Sequence, residues 1–138
     1  MSPASKRLAS LVASDRGLSA LIRAEKLGEH VRKLGMDWRD VAAVLAKVRE
    51  ELDETEAALA RGDREAAAEE LGDLMLALAN APRFLDRSAE EILGRACEKF
   101  VARFERLERL AAERGLELRS LDDAAIDQLW NEAKKTWP

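Results

Sequence analysis

Lys47-Val48-Arg49-Glu50-Glu51-Leu52-Asp53-Glu54 is the stretch on which the fold turns, and Glu70-Leu71-Gly72-Asp73 follows it after a short break. Carboxylates three residues apart project from one helical face, so Glu51 and Glu54 can reach one point in space, as can Glu70 and Asp73. Between the two motifs stands Gly62-Asp63, a C-cap glycine followed by an N-cap aspartate. A link that short forces the flanking helices antiparallel. Glu54 lies eight residues before Gly62 and Glu70 eight after it, so the two sit at nearly the same height on a hairpin with a rise of about 1.5 Å per residue. Two facing pairs of hard oxygen ligands suit Mg²⁺.

A helical wheel refines the set. With the apolar stripe of Val41, Val44, Leu45, Val48, Leu52 and Leu59 at zero, Glu51 falls roughly 80° and Glu54 about 140° to one side, with Lys47 between them, while Glu50 points nearly opposite. On the following helix Glu70 and Asp73 share one side of the Leu71, Leu74, Met75, Leu78 stripe, and Gly72 beside them leaves room for close approach. Glu51, Glu54, Glu70 and Asp73 can therefore converge on one cation, the alternative being a solvated acidic face.

The rest of the chain fits an all-α domain. Its 138 residues contain 47% hydrophobic and 36% charged residues with only 7 Gly and 3 Pro. The expected architecture is an antiparallel bundle of about five helices around the acidic hairpin. Residues 1–14 lack periodicity and read as a loose arm, leaving 15–138 as a single domain. The first helix starts near Asp15 and stops at Gly35. Asp37 is the expected N-cap of the second, which runs to about Arg61. Pro82 falls inside the last turns of the third and is expected to kink it or end it soon afterwards. Ser88 with Glu91 opens a long fourth helix with Leu93, Ala96, Cys97, Phe100 and Phe104 inward, stopping at Gly115. Ser120 with Asp123 opens a fifth, ending near Trp137-Pro138.

Several function classes fall away. A net charge of -4 removes the nonspecific attraction that a nucleic-acid polymer exerts on a basic protein. No apolar run approaches a membrane span, and no apolar leader opens the chain. A single cysteine, Cys97, excludes an internal disulfide and a multi-cysteine zinc site, and it reads as a core residue. These features fit a soluble cytoplasmic protein. A carboxylate di-iron bundle needs Glu-x-x-His pairs, which the sole histidine, His30, does not complete; it reads as a surface or interface residue.

The motifs in order are Gly35-Met36-Asp37-Trp38, Lys47-x-x-Glu50-Glu51-x-x-Glu54, Glu70-Leu71-Gly72-Asp73, Asn80 with Arg83, Lys99-Phe100-x-x-Arg103-Phe104 and Leu129-Trp130-Asn131-Glu132-Ala133-Lys134. From about Leu18 to Lys134 this pattern resembles the MazG family of nucleoside triphosphate pyrophosphohydrolases. The resemblance implies an all-α protein, usually a homodimer, that hydrolyses a nucleoside triphosphate to the monophosphate and pyrophosphate with Mg²⁺, Mn²⁺ being able to replace it. It makes Glu51, Glu54, Glu70 and Asp73 the metal ligands and Glu50 an accessory catalytic carboxylate. It also places Lys47, Lys99, Arg103 and Lys134 on phosphates, Lys47 within the catalytic group, and Trp130 at the nucleotide. The choice of general base stays open between Glu50 and a ligand carboxylate. Met36 stands where the family often has Phe, and Asn80-Ala81-Pro82-Arg83-Phe84 replaces a typical Asn-Leu-Ala-Arg-His, so no role is carried over to Asn80 or Arg83. The rival expectation is a non-catalytic dimerising or regulatory bundle on the same scaffold.

Overall fold

The structure, a computed structural model, describes residues 8–135, which contain six α-helices and no strand. The all-α expectation holds for them. Residues 1–7 of the expected arm and the Trp137-Pro138 end lie outside the described residues. The remainder of the arm is helical: α1 spans Leu8–Val12 and a 3-10 turn follows at Ala13–Asp15.

Helix α2, Ala20–Lys33, begins later than its periodicity implied. Ser19 caps it by accepting from the Ile22 N–H at 3.4 Å, whereas Asp15 is buried and accepts from His30 Nε2 at 2.9 Å. His30 is thus a half-buried tertiary contact and not a free surface residue. Helix α3, Val41–Ala60, is capped by Asp40, which accepts from the Ala43 N–H at 2.8 Å. Asp37 does not cap it. That side chain is engaged by the Arg83 guanidinium, 46 residues on, a partner that no local pattern announces.

At the α3–α4 link Gly62 adopts φ 74°, the left-handed conformation that a glycine takes at least cost, and the Asp63 N–H closes the helix end on the Ala58 carbonyl at 2.9 Å. Asp63 then caps α4, Arg64–Ala79, through the Ala66 N–H. The buried residues of this hairpin are mostly small: Val44, Ala58, Ala67 and Ala77. Small side chains let the two backbones approach closely, which moves the larger stripe residues Leu45, Leu52, Leu59, Leu71 and Leu78 to exposed flanks. Pro82, lacking an N–H, opens a 3-10 turn at Pro82–Leu85 just beyond the α4 end.

Two compact units divide the chain at residues 92 and 93. The first holds the helices above and the opening of α5, Ala89–Glu113, where Ser88 accepts from the Glu91 N–H as expected. The second holds the rest of α5 and α6, Asp123–Lys134. Asp122, not Ser120, caps α6, since Ser120 ends a 3-10 turn at Leu118–Ser120. The core of this unit is Leu107, Ala111, Leu129 and Ala133, with Trp130 packed against it. Cys97, expected inside, is exposed, and so are Leu93, Phe100 and Phe104 on the same helix.

Candidate metal centre

The α3–α4 hairpin brings Glu51, Glu70 and Asp73 together: one carboxylate oxygen from each lies within 4.8 Å of the others. Glu51 is 5% exposed, Glu70 half-buried and Asp73 exposed, so the group opens from the helix interface toward solvent. Glu54 is exposed and outside this tight group, but it interacts with the carboxyls of Glu51 and Glu70. A β-carbon at Gly72 would meet nothing within 4 Å, so that glycine makes no close approach.

Electrostatics single out Glu70. The adjacent Glu51 carboxylate, then Glu54, then burial push its pKa up to about 7, because ionising it beside existing negative charge is unfavourable. Glu51 moves the other way. Its neighbour Glu70, and then Lys47 at 3.2 Å from its Oε1, hold its carboxyl below the ordinary carboxylate range. Lys47 also contacts Glu50 at 3.3 Å; its own pKa is raised, first by Glu51 and then by Glu50. Glu50 itself points outward, its side chain 56% exposed.

Whether these residues suit a cation is tested by their unmet hydrogen-bonding capacity. Glu51 Oε2 and Glu70 Oε2 are both buried with no hydrogen-bond partner. Buried carboxylate oxygens without donors are costly, and a hard divalent cation is the partner that two of them beside a third carboxylate accept. The donor set fits such an ion.

The other expected site residues lie in the second unit. Lys99 is half-buried and Lys134 exposed. Arg103 keeps its Nε buried without a partner, as does Arg106 one turn further on. Trp130 is tilted against Phe100 at a centroid distance of 5.2 Å, and Phe100 stacks with Phe104 at 6.4 Å.

Two features escaped the sequence pattern. The carboxylate of Asp37 is held well below the usual range by its hydrogen bond to Arg83, a guanidinium that also lies over the Phe84 ring at 4.3 Å. Asn80 is buried against Gly28, where any β-carbon would collide with its Oδ1. The departure at Asn80–Phe84 marked this segment but gave no partner for it.

Residues 39–107, half of the chain, match the family model described as the MazG nucleotide pyrophosphohydrolase domain. The chain belongs to the MazG family. The matched segment contains the whole acidic hairpin together with Lys99 and Arg103. A nucleoside triphosphate pyrophosphohydrolase of Escherichia coli is 40% identical over 122 residues, covering 87% of this chain and 46% of that protein. A nucleoside triphosphate pyrophosphohydrolase/pyrophosphatase MazG of Thermotoga maritima is 37% identical over 115 residues, covering 83% and 44% respectively. The chain therefore spans about half the length of these curated relatives. Among the described residues no helix is long and apolar enough to cross a membrane.

Proposed function

We propose that this protein hydrolyses nucleoside triphosphates to nucleoside monophosphate and pyrophosphate, with residues 15–138 acting as one catalytic domain. The observation that carries the proposal is the convergence of Glu51, Glu70 and Asp73 within 4.8 Å, two of their oxygens buried and unpaired, in a chain of the MazG family. Relatives named for the same reaction support it.

Glu51, Glu70 and Asp73, with Glu54 at their edge, would hold Mg²⁺ or Mn²⁺. When bound, such an ion supplies Lewis-acid polarisation of the phosphoryl oxygens and offsets their charge. Lys47 keeps Glu51 ionised and oriented as a ligand. Glu50, free in solvent apart from Lys47, is available as an accessory base for the attacking water. Water oxygen bonds to the α-phosphorus, the bond from that phosphorus to the bridging oxygen breaks, and pyrophosphate leaves with the electron pair. The water proton passes to a carboxylate.

Lys99, Arg103 and Lys134 are assigned to the phosphates, where their cationic groups take up developing negative charge, and Trp130 to the nucleotide. Arg103 supports this by its buried, partnerless Nε. We assign the protein to the cytoplasm and to a homodimer. Self-association is supported by large apolar side chains left uncovered on the hairpin, Met75 at 67% and Leu59 at 57% exposure. The test is product analysis: a panel of nucleoside triphosphates with Mg²⁺ should release pyrophosphate, and orthophosphate as the first product would rule the reaction out.

A further inference from the structure

We propose that Arg106 is a specificity-determining residue for the length of the phosphate chain: with Lys99 and Arg103 it completes a line of three cations on α5 and takes up the third phosphate of the substrate. The proposal rests on Lys99 and Arg103 serving the phosphates, and it adds the residue that separates a triphosphate from a diphosphate.

Spacing sets these three apart from the other cations of α5. Lys99, Arg103 and Arg106 follow one another at four and three residues, so at about 100° and 1.5 Å per residue they fall within an arc of about 60° and extend over about 10 Å of helix. Side chains three or four residues apart are the ones that meet on a helix. No position three or four residues from Lys99, Arg103 or Arg106 is acidic. The cations on either side differ: Arg95 has Glu91 and Glu98 at that spacing, and Arg109 has Glu105 and Glu113. The middle three therefore repel one another along the helix, with no acid on α5 placed to offset them.

Tertiary packing does not supply the missing charge. The ion pairs among the described residues include none of the three, and Glu132 of α6 is taken by Arg114. Lys99 is half-buried, and Nε of both Arg103 and Arg106 is withdrawn from water without an acceptor. A guanidinium N–H buried without an acceptor is costly, and an anion is the partner that offsets it. Arg106 thus shares with Arg103 the condition that supports placing Arg103 on phosphate. A guanidinium also presents its donors in a fork that matches phosphate oxygens. Two forks and one ammonium at successive turns offer a cationic group to each phosphate of a chain of three, whereas Lys99 and Arg103 alone leave α5 one short.

The test compares phosphate chains that differ by one unit. The full chain in excess Mg²⁺ is titrated calorimetrically with inorganic tripolyphosphate and with inorganic pyrophosphate, neither of which carries base or sugar. Wild type should bind tripolyphosphate more tightly, and Arg106→Gln should reduce that preference about tenfold. Arg106→Lys keeps the charge without the fork and should fall between the two, while Arg109→Gln should match wild type. In turnover, read as nucleoside monophosphate formed, the ratio of kcat/KM for a nucleoside triphosphate over its diphosphate should drop by a similar factor in Arg106→Gln. An undiminished preference in Arg106→Gln, an equal loss for both phosphate chains, or the same loss in Arg109→Gln overturns the proposal. If Arg106→Gln loses its helical spectrum, Arg106→Lys decides, and a preference equal to wild type overturns the proposal. Because the titration involves no turnover, a preference set by Arg106 in a protein that releases no pyrophosphate refutes only the reaction. Pyrophosphate release with a preference indifferent to Arg106 refutes only the role of Arg106.

Discussion

Gly28 and Asn80 are packed so tightly that a β-carbon on the glycine would collide with the amide oxygen of the asparagine. Asn80 is the C-cap of α4, and its Nδ2 is already committed to the Leu76 carbonyl, so the side chain has little freedom to retreat. Gly28→Ala should destabilise the protein by about 1–3 kcal/mol, the usual cost of overpacking. Chemical denaturation checks this, and an unchanged midpoint would mean that Asn80 repacks freely.

The raised pKa of Glu70 makes cation binding a proton exchange. Below about pH 7 the cation must displace the Glu70 proton, so apparent Mg²⁺ affinity should fall roughly tenfold per pH unit there and level off above it. Calorimetric titrations on either side of neutrality test this, with Glu70→Gln as the control that loses the dependence. Stability of the metal-free protein should run the opposite way. A carboxyl whose folded pKa lies above its unfolded value contributes most below the unfolded value, and the contribution is lost as pH rises through about 7. The metal-free Tm should therefore decline across that range, with added Mg²⁺ restoring it on the alkaline side.

Asp37 behaves in the reverse sense. Its pKa is depressed by Arg83, so the clamp contributes stability above the ordinary aspartate pKa of 3.8 and loses it as pH falls through the folded value. Wild type should be more stable than Asp37→Asn at neutral pH, and the gap should close in acid. Thermal melts at several pH values measure it; a gap that persists in acid would show that the carboxylate charge is not what Arg83 holds.

Local chemistry made much of this legible from the amino-acid sequence. Gly62-Asp63 is a stop and restart whose conformation is dictated within a few residues, and it suffices to bring Glu51 opposite Glu70 and Asp73. Helix caps were less secure where two acidic or hydroxyl residues competed. Asp40 won over Asp37, and Asp122 over Ser120, because in each case the loser was drawn elsewhere: Asp37 into an ion pair with Arg83, Ser120 into a 3-10 turn. Contacts such as His30 with Asp15 and Asn80 with Gly28 depend on how helices meet, which periodicity does not encode. Burial followed the same division. The stripe on α3 was visible, but which of its members would be covered depended on alanines such as Ala58 and Ala67 setting the helix separation.

Glu51, Glu70 and Asp73 are proposed to hold the cation that drives release of pyrophosphate. Pyrophosphate and orthophosphate should be measured together for wild type and Asp73→Asn, using the best triphosphate of a panel with Mg²⁺. Asp73 is exposed, so the amide leaves packing intact, which far-UV circular dichroism verifies. The wild type should release pyrophosphate, and the variant should lose activity on the order of a hundredfold or more with its helical spectrum unchanged. Orthophosphate as the first product, or undiminished turnover in Asp73→Asn, would contradict it.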